Sequence, residues 1–240
     1  MNYYFITGSS KGLGKSLSDL LLKDSTNIVY GLARTCSVKH ERYHHTTIDL
    51  SNLDEVLNYD FPELEKTDKI VLVNNAGVVG DVKRVGNIDN QKIIDCYSLN
   101  LIAPAILTNN FIAKYGSLDG EKIVLNISSG AGRNPIDGWN VYCSTKAGMD
   151  MFSQVLKEEL KIDGSNIKVL SLAPGIIDTD MQVKIRGAAK EEFSNIDRFI
   201  DYKKEGDLVA PDITAKQVLR FMTEEGLLTN VLCSVRDLTN

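Results

Sequence analysis

Apolar residues along this chain come in short, β-branched blocks, separated by longer stretches in which they recur every three or four positions. The blocks at residues 3–6, 28–32, 46–48, 70–73, 122–127, 167–172 and 231–235 predict strands, and the stretches between them predict helices. Such alternation predicts a parallel sheet, because each parallel crossover needs an intervening element, usually a helix, and those helices cover both sheet faces. The expected fold class is α/β, a single domain over 1–240 built on a doubly wound, seven-stranded parallel sheet. In the first helix Leu13, Leu17, Leu20 and Leu21 share the face that would pack on the sheet. A later helix carries a wider apolar stripe of Ala147, Met151, Phe152, Val155, Leu156 and Leu160, broad enough to serve the core and a partner subunit. The one compositional shift is a charged helical stretch at 178–207, where this topology would put a mobile substrate lid.

Composition narrows the function classes. A chain of 240 residues with 43% hydrophobic content can bury one sizeable core. A net charge of −5 leaves no basic footprint for nucleic acid, and no Lys/Arg cluster is long enough to suggest an anionic membrane surface. Cys36, Cys96, Cys143 and Cys233 are scattered without a Cys-x-x-Cys pair, which fits reduced thiols better than a disulfide framework or a zinc site. No metal is expected: His44 and His45 point to opposite faces of an extended strand, and His40 adds no ligand spacing. No apolar run approaches ~20 residues, and strand-like residues begin almost at Met1, leaving no room for a signal peptide. The expectation is a soluble, cytoplasmic protein directed at a small molecule.

Two local patterns supply chemistry. The turn Thr7-Gly8-Ser9-Ser10-Lys11-Gly12-Leu13-Gly14 joins the first strand to the first helix, the place of the dinucleotide turn in a Rossmann fold. Gly8 would permit the tight turn and Gly14 a close helix–sheet approach, while Ser10 and the backbone near Leu13 would bond phosphate oxygens at a helix N-terminus. After the second strand, Gly31-Leu32-Ala33-Arg34 has alanine where an NAD-binding chain would carry a ribose-binding acid, followed by arginine. With Lys11 as a second cation this predicts NADP(H), the alternative being solvated surface charge. The second pattern is Tyr142 with Lys146, four apart on one helix face. A free phenol titrates near ~10, and an ammonium beneath it would favour ionisation and make it a usable acid. A serine from the pair Ser128-Ser129 would hold the substrate oxygen from the other side while the dinucleotide supplies hydride.

Taken in order, the glycine turn, Asn74-Asn75-Ala76-Gly77, Asn100, Ser129, Tyr142, Lys146 and Pro174-Gly175 resemble the short-chain dehydrogenase/reductase family across the whole chain. The resemblance implies that Tyr142 is the proton donor, that Ser129 rather than Ser128 orients the carbonyl, and that Lys146 also binds the nicotinamide ribose. It implies that Asn100 anchors a water linking Lys146 to solvent, unless this asparagine simply faces solvent. Asp49-Leu50 resembles the adenine contact or is a strand-end turn acid. Asn75, Ala76 and Gly77 would approach the adenosine ribose. After Pro174 and Gly175, the Ile177 backbone and the Thr179 hydroxyl would meet the carboxamide, or Thr179 would be a helix N-cap. The segments 135–143 and 173–182 resemble sepiapterin reductases and related bacterial benzil reductases. Within that branch Gly130, Trp139 and Met181 would line the substrate pocket, though Trp139 also reads as a core residue. Sepiapterin reductases fix the pterin with an aspartate near the last strand; here Ser234 stands there and Asp237 comes three residues later. The resemblance therefore implies NADPH-dependent reduction of a vicinal diketone. The alternatives are pterin reduction and, as a lesser one, a non-catalytic NADP(H) sensor. It also implies a homodimer, with a tetramer possible, through the helices around Asn100 and Tyr142.

Overall fold

The computed structural model describes residues 1–65, 67–227 and 229–238; the other positions of the expected 1–240 domain lie outside the described residues. The strands are β1 (Asn2–Thr7), β2 (Asn27–Ala33), β3 (Tyr43–Thr47), β4 (Lys69–Asn74), β5 (Glu121–Ile127), β6 (Lys168–Ala173) and β7 (Leu232–Ser234). They form one seven-stranded sheet in the order β3-β2-β1-β4-β5-β6-β7, with every pairing parallel. The α-helices are α1 (Gly12–Leu21), α2 (Leu53–Leu57), α3 (Asn90–Tyr97), α4 (Ala103–Tyr115), α5 (Asn140–Ile162), α6 (Asp180–Arg186), α7 (Ile196–Glu205) and α8 (Pro211–Thr223). Winding reverses between β1 and β4, so the crevice beyond their carboxyl ends is where this doubly wound Rossmann sheet receives a ligand.

Side chains alternate across the sheet and bury both faces, which is why the strands read as unbroken apolar runs. Tyr4 and Ile6 of β1 pack with Leu17 and Leu21 of α1 and Val218 and Phe221 of α8. Tyr3 and Phe5 point the other way, toward Leu107 and Phe111 of α4 and Leu156 of α5. A buried polar ladder pins α4 and α5 to the sheet. Asn74 Nδ2 donates to Asn126 Oδ1 at 2.8 Å and to Thr108 Oγ1 at 3.1 Å, and Asn126 Nδ2 donates to Ser153 Oγ at 2.9 Å. Buried amides cost free energy unless bonded, so the ladder fixes register as well as depth.

The third strand departs most from expectation, and the last is shorter than expected. The third lies at Tyr43–Thr47 rather than 46–48. As an edge strand paired only with β2 it is mostly polar, so hydropathy marks it poorly. His44 stacks on Tyr30 and His45 on Tyr43, on opposite faces of the strand. The last strand shortens to Leu232–Ser234 because Val235–Leu238 coil into a 3₁₀ turn. Among the described residues, no helix is long and apolar enough to cross a membrane.

Candidate active site

The glycine turn is built by backbone crowding. Gly8 has φ +68°, and a Cβ there would lie 2.9 Å from Ala76 Cα. A Cβ on Gly14 would strike the Gly8 carbonyl oxygen and lie 2.5 Å from Asn75 Nδ2. The turn can therefore approach β4 and α1 only without side chains. Asn75 locks this arrangement, its Nδ2 donating to the carbonyl oxygens of Thr7 at 2.9 Å and Gly8 at 3.3 Å. Thr7 Oγ1 accepts from the backbone N–H groups of Asn75 and Ala76, each at 2.9 Å. Leu13 is buried beneath the turn. Ser10 accepts a bond from Ser37 Oγ at its carbonyl, and the neighbouring Ser9 hydroxyl pairs with Tyr43.

Arg34 is exposed at the end of β2, and no hydrogen bond or ion pair holds it among the described residues. Lys11 does not stand free beside it, as the sequence suggested: its Nζ pairs with Asp180, the first residue of α6, at 2.7 Å. Asp49 Oδ1 accepts from Ser51 Oγ at 2.7 Å and Ser51 N–H at 3.0 Å. It thus forms a strand-end turn, and the Ser51 bonds hold its carboxyl below the usual range. Leu50 is buried in the core. Pro174 and Gly175, the latter at φ +79°, follow β6, and Ile177 pairs with Val209 in an isolated parallel bridge. Thr179 takes the N-cap position of α6 without a side-chain capping bond. Its methyl instead lies 3.3 Å from where a Gly12 Cβ would be. The cradle left by Gly8, Gly12 and Gly14, with an unpaired arginine at its rim, fits a dinucleotide phosphate.

The reacting end is assembled from three elements. Helix α3 does not run straight into α4: a π-helical turn, Ser98–Ile102, joins them. Such turns are costly and concentrate at functional sites. This one turns Asn100 inward to 1% exposure, so it does not face solvent. Its Oδ1 accepts from Val78 N–H at 2.9 Å, and its Nδ2 donates to Val78 C=O at 2.8 Å and to Thr145 Oγ1 at 3.2 Å. A Cβ on Gly77 would lie 3.3 Å from Asn100 Oδ1 and 3.6 Å from Lys146 Nζ, so these three residues converge.

Tyr142 and Lys146 are both buried on one face of α5. Burial pushes the Tyr142 phenol up to about 12, opposed by a hydrogen bond with the Ser129 side chain. It pushes the Lys146 ammonium down to about 8. Lys146 Nζ donates to the Ile127 carbonyl at 2.8 Å and lies 5.8 Å from the centre of the Tyr142 ring. The lysine does not produce the lowering of the phenol that the sequence suggested: desolvation dominates, and the influence opposing it comes from Ser129. Ser129 sits at the N-cap of the 3₁₀ turn Gly130–Gly132, its Oγ accepting from Ala131 N–H at 3.2 Å. Ser128 is buried, Ser129 half-buried and Gly130 exposed.

A packed aromatic cluster adjoins the phenol. Trp139 meets the Tyr142 ring at 5.5 Å and 89°, stacks on Phe193 at 5.5 Å and packs on Phe199 at 5.3 Å. Ile185 and the half-buried Met181 of α6 complete it. Trp139 is thus both buried and a neighbour of the candidate acid. The stretch 178–207 is tied down: Glu192 accepts from Arg84 N–H at 2.7 Å, and Asp137 accepts from Ser194 N–H and Oγ, each at 2.9 Å. Sequence reasoning missed Phe193 and Phe199, whose signal was the apolar spacing 193, 196, 199 within a charged stretch. It also missed the clamp behind Ser129. Arg133 pairs with buried Asp150 at 3.0 Å, and a Cβ on Gly132 would lie 2.8 Å from the Lys146 backbone. A separate cleft of about 670 Å³ is lined by Cys143, Ser144 and Ala147, which α5 turns away from Tyr142 and Lys146. All four cysteines are free thiols. Among the described residues, no group of three or more His, Cys, Asp or Glu could hold a metal ion.

The chain matches the family described as short chain dehydrogenase over residues 2–190. It belongs to the short-chain dehydrogenase/reductase family. It is 38% identical to a benzil reductase ((S)-benzoin forming) of Bacillus cereus, across 94% of this chain and 95% of that one. It is 31% identical to the sepiapterin reductase of Xenopus tropicalis, across 89% and 88% respectively. In three dimensions it superposes with a TM-score of 0.84 and 25% identity on the crystal structure of a short-chain dehydrogenase/reductase from Saccharomyces cerevisiae, covering 99% of this chain and 97% of that one. The reaction class is accordingly oxidoreduction between a carbonyl and an alcohol.

Proposed function

We propose that this protein is an NADPH-dependent reductase of vicinal diketones, with Tyr142 giving the proton to the developing alkoxide. The observation that carries this reading is the buried Tyr142, bonded to the half-buried Ser129 and adjoining the aromatic cluster of Trp139, Phe193 and Phe199. The bound dinucleotide supplies the hydride. Gly8, Ser10, Gly12, Leu13 and Gly14 receive its pyrophosphate, and Arg34, helped by Lys11 once released from Asp180, meets its 2′-phosphate. Asp49, Leu50, Asn75, Ala76 and Gly77 flank the adenosine side. Pro174, Gly175, Ile177 and Thr179 flank the nicotinamide. Ser129 orients the carbonyl and holds its oxygen against Tyr142, which at a raised pKa keeps its proton until charge develops on that oxygen. Lys146 binds ribose hydroxyls, and Asn100 holds the backbone at Val78 in place and lines the route by which a proton returns. Gly130 and Met181 border the substrate beside Trp139, under the lid 178–207.

Two features support a diketone over a pterin. Resemblance to the benzil reductase is higher than to the sepiapterin reductase. The Asp237 carboxylate already accepts from Ser234 N–H at 2.7 Å, leaving it poorly disposed to a pterin's guanidine-like edge. The exposed Met151 and Val155 of α5 and Ile102 before α4 support a homodimer through these helices. The test is NADPH oxidation with benzil and, separately, with sepiapterin, using NADH as control. Fast, NADPH-restricted turnover of benzil is expected; preference for sepiapterin would move the assignment to pterins, and no turnover of either would revive the sensor reading.

A further inference from the structure

Ser129 and Tyr142 stand on different elements, so their contact depends on how the loop after β5 is seated against α5. The start of that loop is fixed by the sheet, Ser128 N–H donating to the Leu172 carbonyl at 2.8 Å. Further along, one side chain ties it down. Arg133, which closes the 3₁₀ turn Gly130–Gly132, reaches back into the protein with all three guanidinium nitrogens engaged. Nε donates to Asp150 Oδ2 at 3.0 Å, Nη2 to the Ser171 carbonyl at 3.2 Å, and Nη1 and Nη2 to the Cys233 carbonyl, each at 3.4 Å. The other Asp150 oxygen accepts from Ser171 Oγ at 2.6 Å. The guanidinium thus joins the serine loop to α5, β6 and β7, and Asp150 lies on α5 one turn beyond Lys146. Among the described residues it is the one ion pair between this loop and α5. At Gly132 the turn presses on the Lys146 backbone, where a Cβ would come within 2.8 Å. Asp150 is 4% exposed, and a buried pair adds little net stability over apolar side chains of similar volume, because desolvation offsets the attraction. What a fully bonded network does provide is a single arrangement of the elements it joins.

We propose that Arg133 and Asp150 are positioning residues for the reduction: together they seat the turn Gly130–Gly132 against α5 and so hold Ser129 Oγ to the Tyr142 phenol. Neither is itself a reacting group. The inference rests on the reading of Ser129 and Tyr142 as the groups that meet the carbonyl, and it is the same for a diketone as for a pterin. Turnover depends steeply on such seating, since a displacement of about 1 Å can cost on the order of a hundredfold. One other route leads from the pair to the reaction. Burial disfavours the Lys146 ammonium, and Cys96 and Asp150 oppose that electrostatically. The test therefore has to tell an effect passed through Ser129 from one passed through Lys146.

Removing one partner alone would strand a buried charge and endanger folding. Both charges are therefore removed together, as Arg133→Met with Asp150→Asn, where the asparagine still accepts from Ser171. With benzil, or with sepiapterin should that be the ketone reduced, kcat is expected to fall roughly ten- to a hundredfold, while NADPH affinity and the thermal midpoint hold. In a Ser129→Ala background the same two substitutions should cost little further turnover, because the group they place is already gone. Unchanged kcat in the double variant would overturn the proposal and leave the pair a structural bond. An equal further loss with and without Ser129 would overturn it too, and would assign the effect to Lys146. Ser129→Ala turning over as fast as wild type would sink the reading of Ser129 itself, and the proposal with it. Seating is also read without turnover, from a crystal structure of the double variant. There the turn should stand off from Lys146, with Ser129 Oγ beyond hydrogen-bond distance of Tyr142; a turn that superposes on the wild-type one would overturn the proposal whatever the substrate.

Discussion

At the glycine turn, position is set by backbone: Gly8 and Gly14 leave no room for a Cβ, and Asn75 and Thr7 bond main-chain atoms of neighbouring strands. Around the 178–207 stretch, position is set by side chains drawn from distant segments, with Trp139 and Phe193 stacked and the Asp137 carboxylate bonded to Ser194. The first arrangement tolerates few residue types at each place, while the second tolerates any set that fills the volume and satisfies its polar atoms. Cofactor recognition therefore varies little without loss of the fold, whereas substrate preference can be rebuilt by exchanging a few side chains.

The sharpest way to separate the two regions is at Tyr142, where they meet. Tyr142→Phe is expected to lower kcat on the order of a thousandfold while NADPH still binds, as read by energy transfer to the bound cofactor. Unchanged kcat would remove Tyr142 from its role as acid. Lys146 comes next. Its folded pKa, about 8, lies below its ordinary 10.5. Below about 8 the folded protein must keep a buried ammonium charged, and the full penalty is present. Between the two values the unfolded chain binds a proton that the folded one does not, so stability rises with pH. Urea titrations across that window should show a rise of roughly 3 kcal/mol that Lys146→Met lacks; parallel profiles would mean that the ammonium is not desolvated.

Smaller effects test each region by itself. Arg34→Glu should weaken NADPH binding roughly ten- to a hundredfold by loss of a charge-assisted contact, with little change for NADH. Equal losses for both cofactors would point to damage of the turn instead. Asp180→Asn should act least, because its bridge to Lys11 is solvent-exposed. Freeing Lys11 should tighten NADPH by no more than about threefold, measured by calorimetry; weaker binding would show that Asp180 helps to form the cradle.

The geometry of the glycine turn was legible in the chain because its determinants are local. The Gly8-to-Gly14 spacing, Ala33-Arg34 and the strand ends need only a few consecutive residues to be recognised. Lys11 was the exception: its ion pair with Asp180 spans 169 residues, and no local pattern announces it. The π-turn at Asn100 was visible only as a poor helix former within a helix, and its register shift depends on bonds to Val78 and Thr145. Phe193 and Phe199 were hidden in a charged stretch, since apolar spacing does not reveal which cluster a residue joins.

By itself, the sequence determined the α/β class, the glycine cradle and the pairing of Tyr142 with Lys146 on one helix face, because each follows from short-range periodicity and backbone sterics. Only the tertiary structure decided the protonation tendencies of those two residues, the clamp of Arg133 on Asp150 and the unpaired indole of Trp139. Desolvation and hydrogen-bond satisfaction depend on everything that surrounds a group, and at this site the surroundings arrive from segments far apart in the chain.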